Sequence, residues 1–216
     1  GSAEDHATPA EAAAVRAEFT LASSTPVILY TGTFEAYQGL DLLFDAMAIV
    51  RQRHPEARLL MAGGKPDQVD RAKAAAAAAG IGDVAIFAGE RPARTIPAYL
   101  LASDVLVSPR SRGTNTPLKI YQYLRSGRAI VATRLLTHTQ VLGDDTAILT
   151  GASAAEFAAG IAAALEDPER RESLGRRARE LADTKYSYAA YLERTRRACR
   201  ALAPDAPYPA DIKDVA

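Results

Sequence analysis

Residues 104–133 read DVLVSPRSRGTNTPLKIYQYLRSGRAIVAT, and this stretch decides the fold. Val105, Leu106 and Val107 form a short apolar run of the kind that makes a buried strand. Gly113, Thr114, Asn115 and Thr116 suit a loop. Thr116 is a good N-cap residue and Pro117 is favoured at the first helical position. Leu118, Tyr121 and Leu124 then recur at helical spacing, and Ser126-Gly127 is a stop, so the pattern predicts a helix over 117–126. Ala129 to Ala132 reads as the next strand. A helix start carries amides without intrahelical partners and the positive end of the dipole, which suits an anion and above all a phosphate. Lys119 stands in the first turn, where the dipole disfavours a cation, unless a negative ligand compensates it. Many α/β proteins carry such a junction and bind nothing there.

Working outward, strands and helices alternate. Val27 to Tyr30 is strand-like and runs into Thr31-Gly32-Thr33; a helix is expected over 39–53, where Leu40, Leu43, Phe44, Met47 and Val50 recur. Strands at 58–61, 84–87, 104–108 and 129–132 alternate with helices at 66–79, 94–102 and 117–126. A sixth strand is expected at 146–149, followed by helices over 153–165, 168–183 and 187–203. Near-continuous apolar strands separated by helices imply a parallel sheet covered on both faces, an α/β doubly wound, Rossmann-like fold. In the strand order 3-2-1-4-5-6 the first and fourth strands meet at the switch point, where ligands bind beyond the strands' carboxyl ends. The loops 32–39 and 108–116 then converge on one crevice. Gly63-Gly64-Lys65 reads as a turn before a helix, and His138 as a loop or capping residue. Ser108 and Ser111 have no base near them in sequence. The Arg and Glu residues over 169–180 read as a solvated helix face.

Composition narrows the classes. The 216 residues carry 26 basic and 26 acidic side chains and a net charge of zero, which argues against nucleic-acid binding by bulk charge. Cys199 is the single cysteine, and His6, His54 and His138 are scattered, so neither a disulfide framework nor a metal cluster is expected. A reducing, cytoplasmic setting fits. No apolar run approaches the length of a membrane span. Gly1-Ser2 resembles a tag remnant. The expected organisation is a tag remnant and N-terminal helix over 1–24, one Rossmann-like domain over 25–203, and a loose tail over 204–216.

Several stretches, in order, resemble the C-terminal half of a GT-B glycosyltransferase of the large retaining family that includes sucrose synthases and bacterial mannosyl- and glucosyltransferases. They are ILYTGTFEAYQGLDLLFDA, LLMAGGKPDQV, VAIFAGERPARTIPAYLLASDVLVSPR, TPLKIYQYLRSGRAIVAT and YSYAAYLERTRRACRAL. The resemblance implies a nucleotide-sugar donor, UDP- or GDP-linked, as substrate, with no tightly bound cofactor and no metal. It implies that Gly32, Thr33, Phe34 and Gln38 lie along the donor phosphates. Amides near Thr116, Pro117 and Leu118 would hold the diphosphate, Gly89, Glu90 and Arg91 would meet the base, and Gln122 would face the ribose. Two acidic residues of the family signature fall on Thr114 and Gln122, and two expected cations fall on Thr33 and Gln38. Lys119, Arg110 or Arg112 would then supply the positive charge, with Lys119 and Thr114 as the candidate catalytic residues. An N-terminal acceptor-binding domain is implied as a partner outside this chain, without which the chain alone would be inactive. Peripheral membrane association of the full protein is compatible with this reading. The alternative is a non-catalytic nucleotide- or sugar-phosphate-binding module that has lost transferase activity.

Overall fold

The structure, a computed structural model, describes residues 7–202. Strands β1 (Val27–Thr31), β2 (Arg58–Ala62), β3 (Ala85–Gly89), β4 (Val105–Ser108), β5 (Ala129–Thr133) and β6 (Ile148–Thr150) form one parallel sheet in the order β3-β2-β1-β4-β5-β6. This is the expected doubly wound order. The helices are α1 (Pro9–Glu18), α2 (Leu40–Arg53), α3 (Pro66–Ala78), α4 (Ile96–Ala102), α5 (Lys119–Ser126), α6 (Leu136–Thr139), α7 (Ala154–Glu166), α8 (Pro168–Lys185) and α9 (Tyr188–Leu202). Among the described residues no helix is long and apolar enough to cross a membrane.

Alternation along the strands divides the core. Ile28, Tyr30, Leu59, Met61, Val105, Val107 and Val131 face α2, α3 and α7. Val27, Leu29, Leu60, Ala62, Leu106, Ile130 and Ala132 face α1, α4, α5 and α8. Each strand is apolar on both faces because each face is covered by helices. The first helix starts with a capping box between Thr8 and Glu11. Its Arg16 reaches the carbonyls of Ala102, Ala22 and Thr25 and pairs with Asp104 at 3.1 Å, which fastens α1 beside the start of β4.

Two local expectations change. The signature helix starts at Lys119 instead of residue 117, with its first bonds from Ile120 to Pro117 O and from Tyr121 to Leu118 O. Thr116 does not cap it, because the Thr116 hydroxyl donates to Gln140 Oε1 at 3.4 Å. Residues 136–139, with no element expected, form the short helix α6. The tag remnant, His6 and the tail over 204–216 lie outside the described residues.

The sheet opens where the site is. β1 keeps register with all five residues of β2, but with β4 only at Ile28–Val105 and Leu29–Leu106. Beyond Leu29 the two strands part, and their facing backbone groups lose their ladder partners. The buried Tyr123 of α5 fills the gap: its phenol oxygen accepts from Thr31 N–H at 3.0 Å, contacts Thr31 Oγ1 at 3.1 Å and donates to Val107 O at 3.4 Å. Burial pushes its pKa up to about 12, so the phenol stays protonated and keeps both roles. Tyr123→Phe should therefore cost about 1–3 kcal/mol, the penalty for a buried amide left without its partner. Urea unfolding measures this; a loss below a few tenths of a kcal/mol would mean that water replaces the hydroxyl freely.

Candidate functional site

The loops after β1 and β4 meet at the carboxyl end of the sheet. The Ser111 amide donates to Tyr37 O at 3.2 Å, and the Arg110 guanidinium lies 5.0 Å from the Tyr37 ring centroid. Gly39 sits with φ +73° where a Cβ would strike the Pro109 carbonyl, so only glycine lets the two loops touch. Gly63 is packed in the same way against the backbone of Gly32, which draws the loop after β2 into the group. Phe34 turns inward, its ring 6.0 Å from Tyr30 and 6.4 Å from Phe87. Thr33 accepts at its carbonyl from the Tyr30 hydroxyl at 2.7 Å and at its hydroxyl from Gln38 Nε2 at 3.3 Å. The Gln38 Oε1 atom is buried and has no hydrogen-bond partner among the described residues.

Lys119 holds the centre of this group. It extends from the first turn of α5, on one face of the sheet, to Tyr30, whose ring belongs to the other face. Its Nζ lies 3.9 Å from the Tyr30 ring centroid and close beneath Gly32. The ammonium is buried and has no hydrogen-bond partner among the described residues. A cation held by one aromatic face, with no carboxylate and no acceptor, is a costly arrangement. Burial holds its pKa down to about 7, and the Arg110 guanidinium adds repulsion. Arg112 and Leu118 are exposed at the same rim.

His138, expected as a loop or capping residue, is also placed differently. It is fully buried in α6, with Nδ1 2.8 Å from Thr133 O and Nε2 2.9 Å from Ser108 Oγ. The Thr133 carbonyl can only accept, so Nδ1 carries the proton and Nε2 accepts from the serine. Burial lowers its pKa to about 4, and it stays neutral at ordinary pH. Ser108 thus has a histidine base after all, 30 residues away in sequence, but both side chains are sealed from solvent and act as structure.

The nucleoside candidates separate into two groups. Gln122 lines a cleft of about 490 Å³ between α4 and α5, together with Arg94, Ile96, Pro97 and Arg125. Arg91 turns away from it: it pairs with Glu18 at 2.6 Å and lies against the Phe19 and Tyr99 rings. Gly89 has open space on its Cβ side, and Glu90 is exposed beside it. Thr114 is exposed, and its carbonyl accepts from Gln140 Nε2 at 2.8 Å. Among the described residues no three His, Cys, Asp or Glu side chains converge as a metal site would need.

The buried ammonium makes a prediction about the unliganded fold. Unfolded, Lys119 keeps its proton to about its ordinary 10.5; folded, it releases it near 7. The unfolded chain binds more protons in that window, so this group's contribution to stability rises with pH from about 7 to 10.5. Lys119→Met should stabilise the chain by about 1–3 kcal/mol at neutral pH, since it keeps the packing and removes the uncompensated charge. The gain should shrink towards pH 10. Thermal unfolding across pH tests it, and a destabilised variant would show that the ammonium is already compensated.

Residues 12–181 match the model of the family described as glycosyl transferases group 1. An alpha-D-kanosaminyltransferase of Streptomyces kanamyceticus is 26% identical over 189 residues, which is 87% of this chain and 48% of that protein. A D-inositol 3-phosphate glycosyltransferase of Segniliparus rotundus is 30% identical over 174 residues, 78% of this chain and 38% of that protein. The chain thus spans half or less of the length of these relatives. The fold superposes on the Anabaena protein HepE, solved in complex with UDP, with a TM-score of 0.81 at 16% identity, over 92% of this chain and 54% of that one. It superposes on a sucrose-phosphate synthase from Thermosynechococcus elongatus with a TM-score of 0.79 at 23% identity, over 94% and 51%. With the α/β sheet and crevice in place and the family model spanning both, the chain belongs to the group 1 glycosyl transferases, with the Rossmann-like fold of a GT-B half.

Proposed function

We propose that the crevice binds the diphosphate of a nucleotide-diphosphate sugar, UDP- or GDP-linked, and that the chain is the donor-binding half of a hexose-transferring, two-domain enzyme. The observation that carries this reading is the buried, unpartnered ammonium of Lys119 between the two crevice loops. An anion seated there supplies the missing partner. The family match supports sugar transfer, and the neighbours solved with UDP or UDP-glucose support the donor class.

Each residue then has a role. Gly32, Thr33, Phe34 and Gln38 form the wall beside the phosphates. Lys119, with Arg110 and Arg112, supplies the charge that the family otherwise places at Thr33 and Gln38. The amides of Thr116 and Leu118, on either side of Pro117, donate to phosphate oxygens, Gln122 accepts from the ribose hydroxyls, and Gly89 and Glu90 border the base, while Arg91, held by Glu18, stands back from it. Thr114 faces the transferred sugar. When the bond between the anomeric carbon and the phosphate oxygen breaks, its electron pair goes to the leaving diphosphate. Donors fixed beforehand around that oxygen stabilise the charge. The acceptor (a growing glycan, a lipid or a small molecule) would be held by an N-terminal domain, so the chain alone should not turn over. Relatives about twice as long or more support that second domain. A cytoplasmic enzyme that associates peripherally with a membrane fits this scheme. A non-catalytic binding module is the second reading, favoured by Thr114 and Gln122 standing where the family signature has acids.

Isothermal calorimetry against UDP, GDP and ADP tests the site. UDP or GDP should bind, and Lys119→Met should weaken it about tenfold, the scale of a charge-assisted hydrogen bond. The bound anion raises the lysine pKa, so binding takes up a proton above pH 7. The advantage of wild type over the variant should therefore fall as pH rises through 8 and 9. No binding of any of the three at millimolar concentration would remove the reading.

Gln122→Glu tests the ribose assignment. A carboxylate accepts from hydroxyls more strongly than an amide, so the affinity for UDP or GDP should rise by about a fewfold. The gain should vanish for the 2′,3′-dideoxy analogue. Equal effects on both ligands would take Gln122 off the ribose.

A further inference from the structure

Three side chains around α6 hold the carbonyl side of the signature loop. Gln140 Nε2 donates to Thr114 O at 2.8 Å, the buried Thr137 hydroxyl donates to Asn115 O at 3.1 Å, and Thr133 Oγ1 donates to Arg110 O at 2.7 Å. Arg110 Nη1 adds a second bond to Asn115 O at 2.8 Å. The helix itself is anchored by His138, which bonds to the ends of both β4 and β5.

In a trans peptide the carbonyl and the N–H of the next residue point in opposite directions. A carbonyl pinned towards β5 and α6 therefore sends the following N–H away from them, towards β1. The 110–111 peptide obeys this: its carbonyl is held by Thr133 of β5, and its Ser111 N–H reaches Tyr37 O in the β1 loop. The peptides 114–115 and 115–116 are pinned on the same side. Their amides, Asn115 N–H and Thr116 N–H, make no hydrogen bond among the described residues.

We infer that Gln140, with Thr137, is a positioning residue of the donor site: it aims the Asn115 and Thr116 amides into the crevice, at the diphosphate bound beside Lys119. This rests on the donor-site reading above. The residues that touch the ligand stand in the β4–α5 loop, but their direction is set by a glutamine and a threonine beyond the next strand. Fixed amide dipoles need no reorientation when an anion arrives, which is the source of their effect. Thr116 closes the arrangement by donating to Gln140 Oε1 at 3.4 Å, so one glutamine side chain holds the loop at two residues.

Gln140 is exposed, so Gln140→Met removes both bonds at small cost to folding. UDP is titrated into wild type and variant, with calorimetry for affinity and 1H–15N spectra for the Asn115 and Thr116 amides. The expected result is an unchanged melting temperature, affinity weakened by about fivefold, the worth of one neutral hydrogen bond, and loss of the downfield shifts that UDP gives these two amides in wild type. The variant is compared with Thr137→Val, which should act in the same direction. If wild type binds UDP and both variants match it in affinity and amide shifts, the positioning role is wrong and the donor site stands. If wild type binds neither UDP nor GDP, the donor site and the positioning role fall together.

Discussion

The parting of β1 and β4 beyond Leu29 is the constraint on which the rest of the site depends. A parallel sheet cannot open at its switch point without leaving backbone groups unpaired in the low-dielectric interior. Here one phenol closes the account, because a hydroxyl can accept and donate at once. Tyr123 thereby ties the middle of α5 to the ends of both strands. The start of the same helix, one turn earlier, is fixed over the opening, and Lys119 is delivered into it. Fold stability and site geometry meet in one helical turn.

Lys119 shows the opposite balance. Tyr123 satisfies its surroundings, whereas the lysine ammonium is left, among the described residues, with a ring face and no acceptor. Such a group weakens the free protein and becomes favourable when an anion is bound. Thr33 and Gln38, in the loop after β1, are neutral and bond to each other, and Arg110 is turned partly to holding its own loop.

Most of the architecture was legible in the sequence because it rests on periodicity. The alternation of apolar strands and helices gave the sheet order, and the order alone brought residues 32–39 and 108–116 together. What was hidden is of another kind. Helix α6 is four residues long, too short to show a period, and its inward side chains are a threonine and a histidine. They are buried because carbonyls and a serine some twenty to thirty residues back in the chain need partners. Thr116 looked like a cap because its competing partner, Gln140, lies 24 residues on. Arg91 looked available for a ligand, but Glu18 and two rings, distant in sequence, hold it. A lysine reads as surface by default, and nothing in the local pattern reveals that Tyr30 will cover it.

The contact of Gly39 with Pro109, reinforced by the Ser111–Tyr37 bond, joins the two crevice loops backbone to backbone. A join of that kind governs how the chain can vary in length. One residue added between Gly32 and Gly39 would lift Tyr37 off Ser111 and put a side chain where only a hydrogen fits. The segment after β3, where Gly89 faces open space, meets no such obstacle. Insertions and deletions among related chains should therefore be tolerated better beside Gly89 than in the loops 32–39 and 108–116, which keep their length. The segment after β3 can then be exchanged without disturbing the join that holds Lys119 in place.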